Sequence, residues 1–430
     1  PAIKDVLKIL RNRQFAETLT KIDPSAIESM LLPWLNRTAR QLTMEQGVHP
    51  VVDKFWQQVR QRTGVSIMFA NLINALQQVT GFFPALLKVK GSHLRSGLVQ
   101  YMRNPMRASD EVAELSPFMA DRMHNRMFDV QEIINEVLLN PNAWRKVERW
   151  SVKHGYFLQQ AFQNQIDVVV WTGAYNQALA ELPATTSDAD AQREAIARAD
   201  AAVRLTQDSY DVEDVASYQI GTPFYKTLTQ FSGYFNMLAN LDGTEFQKLM
   251  RDLGFRGNKG RLFQIYLLGF MAPMLVAEAI VLALGGRWDD EDDDGYLDET
   301  ASWFFGAQAR GAVAAIPAFG PGVLALVNAF NDKPYDDRMT TSPSVSMLEA
   351  AGVGTIRAGI AVVDPEREVT GKNIYDITVL LSLITGTPMT FLGRRIQYAY
   401  DGEEGKVEPT SDADYIRGLI TGRASEASKE

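Results

Sequence analysis

Residues 262–284, LFQIYLLGFMAPMLVAEAIVLAL, carry only Gln264 and Glu278 as strongly polar side chains in 23 positions. As a helix rising about 1.5 Å per residue, such a run matches a hydrocarbon core of about 30 Å. No other stretch limits the fold so strongly, because a helix apolar on every side belongs either in a bilayer or at the centre of a large soluble core. Pro273 and Glu278 are unusual in lipid and keep the core alternative open. The flanks orient the segment: Arg251, Arg256, Lys259 and Arg261 precede it, and Asp289, Asp290, Glu291, Asp292, Asp293 and Asp294 follow. The positive-inside rule then holds the basic end in a cytoplasm and carries the acidic loop across. The expected lipid contacts are Leu262, Leu268, Phe270, Leu275, Val276 and Ile280. A second apolar arm over 303–330, with Phe304, Ile316 and Leu324 and broken by Gln308 and Arg310, completes a hydrophobic hairpin around the acidic run 289–299. Its glycines suit close packing against the first arm.

The rest of the chain reads as helix. Between 54 and 79 the apolar positions Val65, Phe69, Leu72, Leu76 and Val79 recur at steps of three and four, the mark of one helix with one buried stripe. Val130, Ile133, Ile134, Val137 and Leu138 repeat that spacing before Asn140-Pro141 stops it. Another helix begins near Trp144 and runs through Trp171 to Leu182. Residues 191–205 are alanine-rich with alternating charge, as in an exposed or partner-facing helix. Pro223 suits a first helical turn, and Phe224, Leu228, Phe231, Phe235 and Leu238 form a heptad-like stripe fit for core or subunit packing. Further helices over 345–363 and 374–400 carry glycine and proline interruptions, and 401–430 is a polar stretch expected to be mobile. No segment alternates with period two. The expected fold is an all-α, elongated multi-helix assembly with a hydrophobic helical hairpin and no substantial β-sheet. It divides into an N-terminal helical domain (1–182), a linker with amphipathic helices (183–250), the hairpin (251–330), a C-terminal helical region (331–400) and the tail (401–430). The stripes on 65–79 and 224–238, added to two apolar arms, predict a homo-oligomer.

Composition removes several functional classes. A formal charge of −9 over 430 residues argues against a general nucleic-acid groove, and the absence of cysteine rules out disulfides, thiolate nucleophiles and zinc–thiolate sites. His49, His93, His124 and His154 share no metal-ligand spacing, and no phosphate loop, dinucleotide glycine pattern or nucleophile elbow occurs. Glu28-Ser29 invites comparison with a transglycosylase pair, but no Gly-Leu-Met-Gln segment follows, and helix capping accounts for the serine. Asp290, Asp292, Asp294, Gly295 and Asp298 match part of a calcium loop, yet Ala301 stands where its bidentate glutamate belongs, so a solvated acidic turn is expected. No enzyme activity, cofactor or metal is expected. Residues 1–14 hold no apolar run with a cleavage site, so Sec export is not expected, and opening on Pro1 fits methionine removal or excision from a longer chain.

Four ordered stretches carry a resemblance. These are Met30-Leu31-Leu32-Pro33-Trp34-Leu35; residues 62–79 leading into 81–90; Ser116-Pro117-Phe118-Met119 with Arg122 and Arg126; and 199–207 (ADAAVRLTQ) followed by 231–240 (FSGYFNMLAN). Together they resemble the helical C-terminal region of the large polyvalent proteins of tailed phages and prophages, over roughly residues 25–330. The resemblance implies a virion-internal protein, similar in role to the ejection proteins of short-tailed phages, that leaves the capsid with the genome and helps form a conduit in the host envelope, as far as the inner membrane. Implied partners are further copies of the chain, other ejection, portal or tail proteins, the host membrane, and phage DNA passing through without sequence recognition. It assigns no catalytic residue. The alternatives are a soluble virion-structural or scaffold protein, and a non-catalytic module of a larger phage enzyme.

Overall fold

The computed structural model describes residues 12–22, 31–40, 49–124, 154–208, 221–230, 233–257, 259–285, 370–425 and 427–429, with scattered positions elsewhere. Helix makes up 84% of what is described, and no strand or sheet occurs there beyond an isolated bridge between Val407 and Lys429. The all-α expectation therefore holds.

The helix at the centre of the core is not the apolar run 262–284. It is a helix in which Ile166, Val168, Val169, Val170 and Trp171 leave Asp167 as the one polar residue of the run, a pattern a helix tolerates only when surrounded and when that carboxylate is paired. Trp171 is 1% exposed. To place its neighbours, the N-terminal helices are α1 (Arg13–Ile22), α2 (Leu32–Arg40), α3 (Pro50–Met68), α4 (Leu72–Gln77), α5 (Phe82–Ala85), α6 (Gly91–Arg103), α7 (Pro105–Leu115) and α8 (Pro117–His124). The central helix itself is α9 (Phe157–Glu181). It packs mainly on α6 and on α10 (Asp188–Thr206), with α4 and α7 closing other sides. The α6–α9 crossing is set by paired glycines: a Cβ on Gly97 would lie 2.5 Å from the Val169 carbonyl oxygen, and one on Gly173 would meet His93 and Leu94 backbone at 3.0 Å. Backbone thus meets backbone at this crossing, with no room for a side chain at either glycine.

Several expectations change here. The stripe over 54–79 does not lie on one helix, because α3 stops at Met68, Ala70 takes a left-handed φ of 49°, and Asn71 restarts the chain by accepting the Asn74 N–H at 3.1 Å. A 3₁₀ turn over Gln78–Gly81 follows α4, leaving Val79 on the surface while Val65 is fully buried. The alanine-rich helix α10 is not simply exposed. Ala195, Ala199, Ala202 and Val203 bury one face on α9 in the same chain, so one core spans both sides of residue 183. The stripe Phe224–Leu238 is also divided. Helix α11 (Pro223–Leu228) ends at Thr229, and α12 (Gly233–Gly257) starts afresh. The helix beginning Val130–Leu138 lies outside the described residues, as do the second hairpin arm and the acidic run.

At the far end, α15 (Gly371–Thr385) and α16 (Met389–Glu403) form a tight pair, broken where Gly386 adopts φ 72° ahead of Pro388. Before α15 come α13 (Lys259–Tyr266) and α14 (Ala272–Gly285). Arg62 on α3 donates to the Leu383 carbonyl at 2.7 Å, and Thr390 donates to the Ser66 carbonyl at 2.9 Å, tying this pair to the N-terminal half. Residues 401–430 are not a structureless tail. They contain α17 (Asp412–Thr421), whose Gly418 packs under Tyr398 of α16, and Ser425 donates to Asp414 at 2.9 Å.

Candidate membrane-inserting helix

The apolar run forms one continuous helix over 259–285, built from α13 (Lys259–Tyr266), a π turn at Leu267–Met271 and α14 (Ala272–Gly285). Pro273 explains the π turn. Without an N–H it cannot bond the Gly269 carbonyl and its ring crowds that carbonyl, so the chain widens just ahead and the Ala272 N–H bonds back to Leu267.

One face of this helix is docked. Ile265, with Leu262 and Leu268, packs on Leu87, Leu241 and Leu249; Met274 and Phe270 pack on Met237, Leu238 and Tyr234. Polar tethers fix both ends. Glu245 on α12 accepts from Lys88 at 2.5 Å and from Arg261 at 2.9 Å, Gln77 donates to the Ala277 carbonyl at 3.3 Å, and Arg417 of α17 donates to the Leu284 carbonyl at 3.3 Å. Burial alone would raise the Glu245 carboxyl, but the hydrogen bonds from Lys88 and Arg261 more than reverse this and hold it below its ordinary value. Most other residues of the helix are half-buried, because α14 also lies against α4, the Gln78–Gly81 turn and α17. Within Lys259–Val281 the mean hydropathy reaches 1.7, and 22% of the residues of that apolar stretch are fully buried.

Of the residues expected to meet lipid, Leu262, Leu268 and Phe270 instead serve the docked face, while Leu275, Val276 and Ile280 are half-buried. Phe304, Ile316 and Leu324 lie outside the described residues, and with them the hairpin and the calcium-like loop Asp290–Asp298. The most exposed apolar residues of the helix were not singled out in the sequence: Phe263 at 58% and Tyr266 at 45%. For Phe263 the signal was available, since it falls about 160° around the helix from Ile265 once a docked face is assumed. In the former stripe, Phe224 meets Trp56 edge-on with centroids 4.8 Å apart, Leu228 is half-buried and Leu238 is buried beside Met274. Phe231 and the Phe235 side chain are outside the described set.

At the π turn the docking contact is polar on one side only. A Cβ on Gly269 would overlap the Asp242 carboxylate, so glycine is what lets α12 approach here. Asp242 Oδ1 is buried and has no hydrogen-bond partner, and burial, aided by the Glu245 charge, pushes this carboxyl from its ordinary 3.8 up to about 7. The folded state therefore binds the proton more tightly than the unfolded chain. Stability from Asp242 is complete below about pH 4 and lost as pH rises towards about 7. Asp242→Asn should raise stability at pH 8 by about 1–2 kcal/mol, allowing for the group's partial contact with water, and should flatten the slope between pH 4 and 7. Urea midpoints across that range give the answer; an unchanged slope would remove the buried-acid assignment.

Motif residues behind the resemblance meet in a second network, buried at Ser116, Arg122, Asp167 and Gln207 and half-buried at its edges. Asp200 accepts from Ser116 Oγ and from Trp171 Nε1, each at 2.7 Å, and Ser116 Oγ in turn accepts the Met119 N–H at 3.0 Å. Arg122 donates to Asp167 and to the Asp208 carbonyl, each at 2.7 Å, and Gln163 bridges Asp167 to Gln207. Gln207 donates to the Gly81 carbonyl at 3.0 Å. Three stretches far apart in sequence thus converge to lock α8, α9 and α10 together. Their chemistry is satisfied internally, and the arrangement presents no nucleophile–base pair to a substrate. Among the described residues no group of three or more His, Cys, Asp or Glu side chains could hold a metal ion. No family model, curated protein or solved structure matches the chain.

Proposed function

We propose that this chain is a virion-internal helical protein of a tailed phage that enters the host envelope with the genome and contributes to the delivery conduit, with 259–285 as its bilayer-inserting element. One observation carries the reading: a helix of membrane length and composition has only 22% of the residues in its most apolar stretch fully buried and turns Phe263 and Tyr266 outward, while the central position of the core around Trp171 belongs to α9. The ordered motifs that resemble phage polyvalent proteins supply the biological setting. Helices keep their backbone hydrogen bonds internal, so the 259–285 segment can exchange α12 for lipid without exposing a polar backbone. Further copies of the chain, together with portal or tail proteins, would complete the conduit, and DNA would pass without being read.

A second reading, a soluble virion-structural protein, draws on the tethers at Arg261 and Arg417, which hold the helix at both ends. Replacing Phe263 and Leu275 by Asp separates the two. Each change should cost roughly 2–3 kcal/mol of insertion near the bilayer centre, and less towards an end. Flotation of the chain with liposomes should collapse for the double variant, whereas its incorporation into virions should persist. A variant that floats normally, or a wild-type chain that never floats, refutes the membrane reading; a variant absent from particles favours the structural one.

A further inference from the structure

Helix α1 is the most cleanly two-faced of the described helices, and its apolar side is only partly covered, with Leu19 half-buried and Phe15 exposed. Phe15, Leu19 and Ile22 recur at i, i+4 and i+7, which places them on one face, while Arg13, Glu17 and Lys21 share the other. The helix is locally well made. Asn12 accepts the N–H groups of Gln14 and Phe15 at 3.0 and 3.3 Å, Arg13 pairs with Glu17 at 2.7 Å, and Thr18 and Thr20 bond back to carbonyls one turn earlier. Each of these bonds closes within residues 12–20, and Phe15 remains 40% exposed. The segment's charge is opposite to the chain's. Residues 1–22 hold five Lys or Arg side chains against two acidic ones, in a protein whose formal charge is −9.

We propose that α1 is a surface-docking helix for an anionic lipid bilayer, lying in the headgroup plane with Phe15 and Leu19 in the acyl boundary and Arg13 and Lys21 towards lipid phosphates. A basic amphipathic helix suits this role, because apolar burial and attraction to the negative leaflet add. The acidic remainder of the chain is repelled by the same surface, so α1 is the part that can approach it first. This extends the membrane reading but rests on a different element. The 259–285 helix would insert, whereas α1 would recruit, and recruitment alone is reversible and sensitive to salt.

The test uses the full chain and vesicles of phosphatidylcholine with or without phosphatidylglycerol, read by sedimentation in low and high salt and after carbonate washing. Wild-type chain should bind the anionic vesicles, with binding falling at high salt. Phe15→Asp with Leu19→Asp should weaken that recruitment by at least about tenfold, the share expected from two apolar side chains. Arg13→Glu with Lys21→Glu should abolish the preference for phosphatidylglycerol. The Phe263→Asp, Leu275→Asp variant should still be recruited at low salt and fail only the carbonate wash, so loss of insertion and loss of recruitment are distinguishable. Equal binding by the Phe15/Leu19 variant, or equal wild-type binding to both vesicle types at all salt concentrations, overturns the proposal. A drop in oligomer size for that variant without lipid also overturns it, assigning the face to a second copy of the chain.

Discussion

Arg122→Met is expected to lower the unfolding free energy by about 3–5 kcal/mol, the cost of leaving a buried carboxylate without its partner. Asp167 is fully buried, and the Arg122 side chain is 7% exposed. Losing the guanidinium strips Asp167 of its 2.7 Å ion pair and the Asp208 carbonyl of a donor, while Gln163 still donates to Asp167 at 2.8 Å. Asp167→Leu alone should cost a similar amount for the mirror reason. The double variant should recover much of the loss, because two apolar side chains of comparable bulk need no partner. Urea titration of the four chains completes the cycle. If Arg122→Met is nearly neutral, the network does not hold α8 to α9.

That network shows where sequence reading stops. Its members were visible as motif residues, but Arg122 and Asp167 lie 45 positions apart and their pairing depends on how α8 crosses α9. The helices themselves were legible because a period of 3.6 is local. Their breaks were less so: Ala70 enters the left-handed region without being glycine, and the stop at Thr229 falls inside an unbroken heptad stripe. Both stripes therefore continue in the sequence through turns that tertiary packing imposes. The polar composition of 401–430 concealed an ordered element, since Ser425, Asp414 and Arg417 satisfy one another and α17 gains its stability from α16. The apolar helix was legible in extent and not in facing. Length and hydropathy marked 262–284, but only the docked partners Leu241, Leu249 and Met237 show that Leu262, Leu268 and Phe270 look inward.

The second large effect concerns that facing and uses the chain's lack of cysteine, which makes a single introduced thiol unique. Phe263→Cys, carrying a polarity-sensitive fluorophore, places the reporter on the undocked side of α13, and Ala184→Cys, in the exposed turn between α9 and α10, serves as the control. In buffer both labels should emit as in water. On adding vesicles, the label at 263 should shift to the blue and be quenched by spin-labelled acyl chains, while the label at 184 should do neither, because the soluble core about Trp171 stays outside the bilayer. A label at 263 that keeps its aqueous emission, unquenched, in the presence of every vesicle tested would contradict insertion of 259–285 and return that helix to the surface of a soluble assembly.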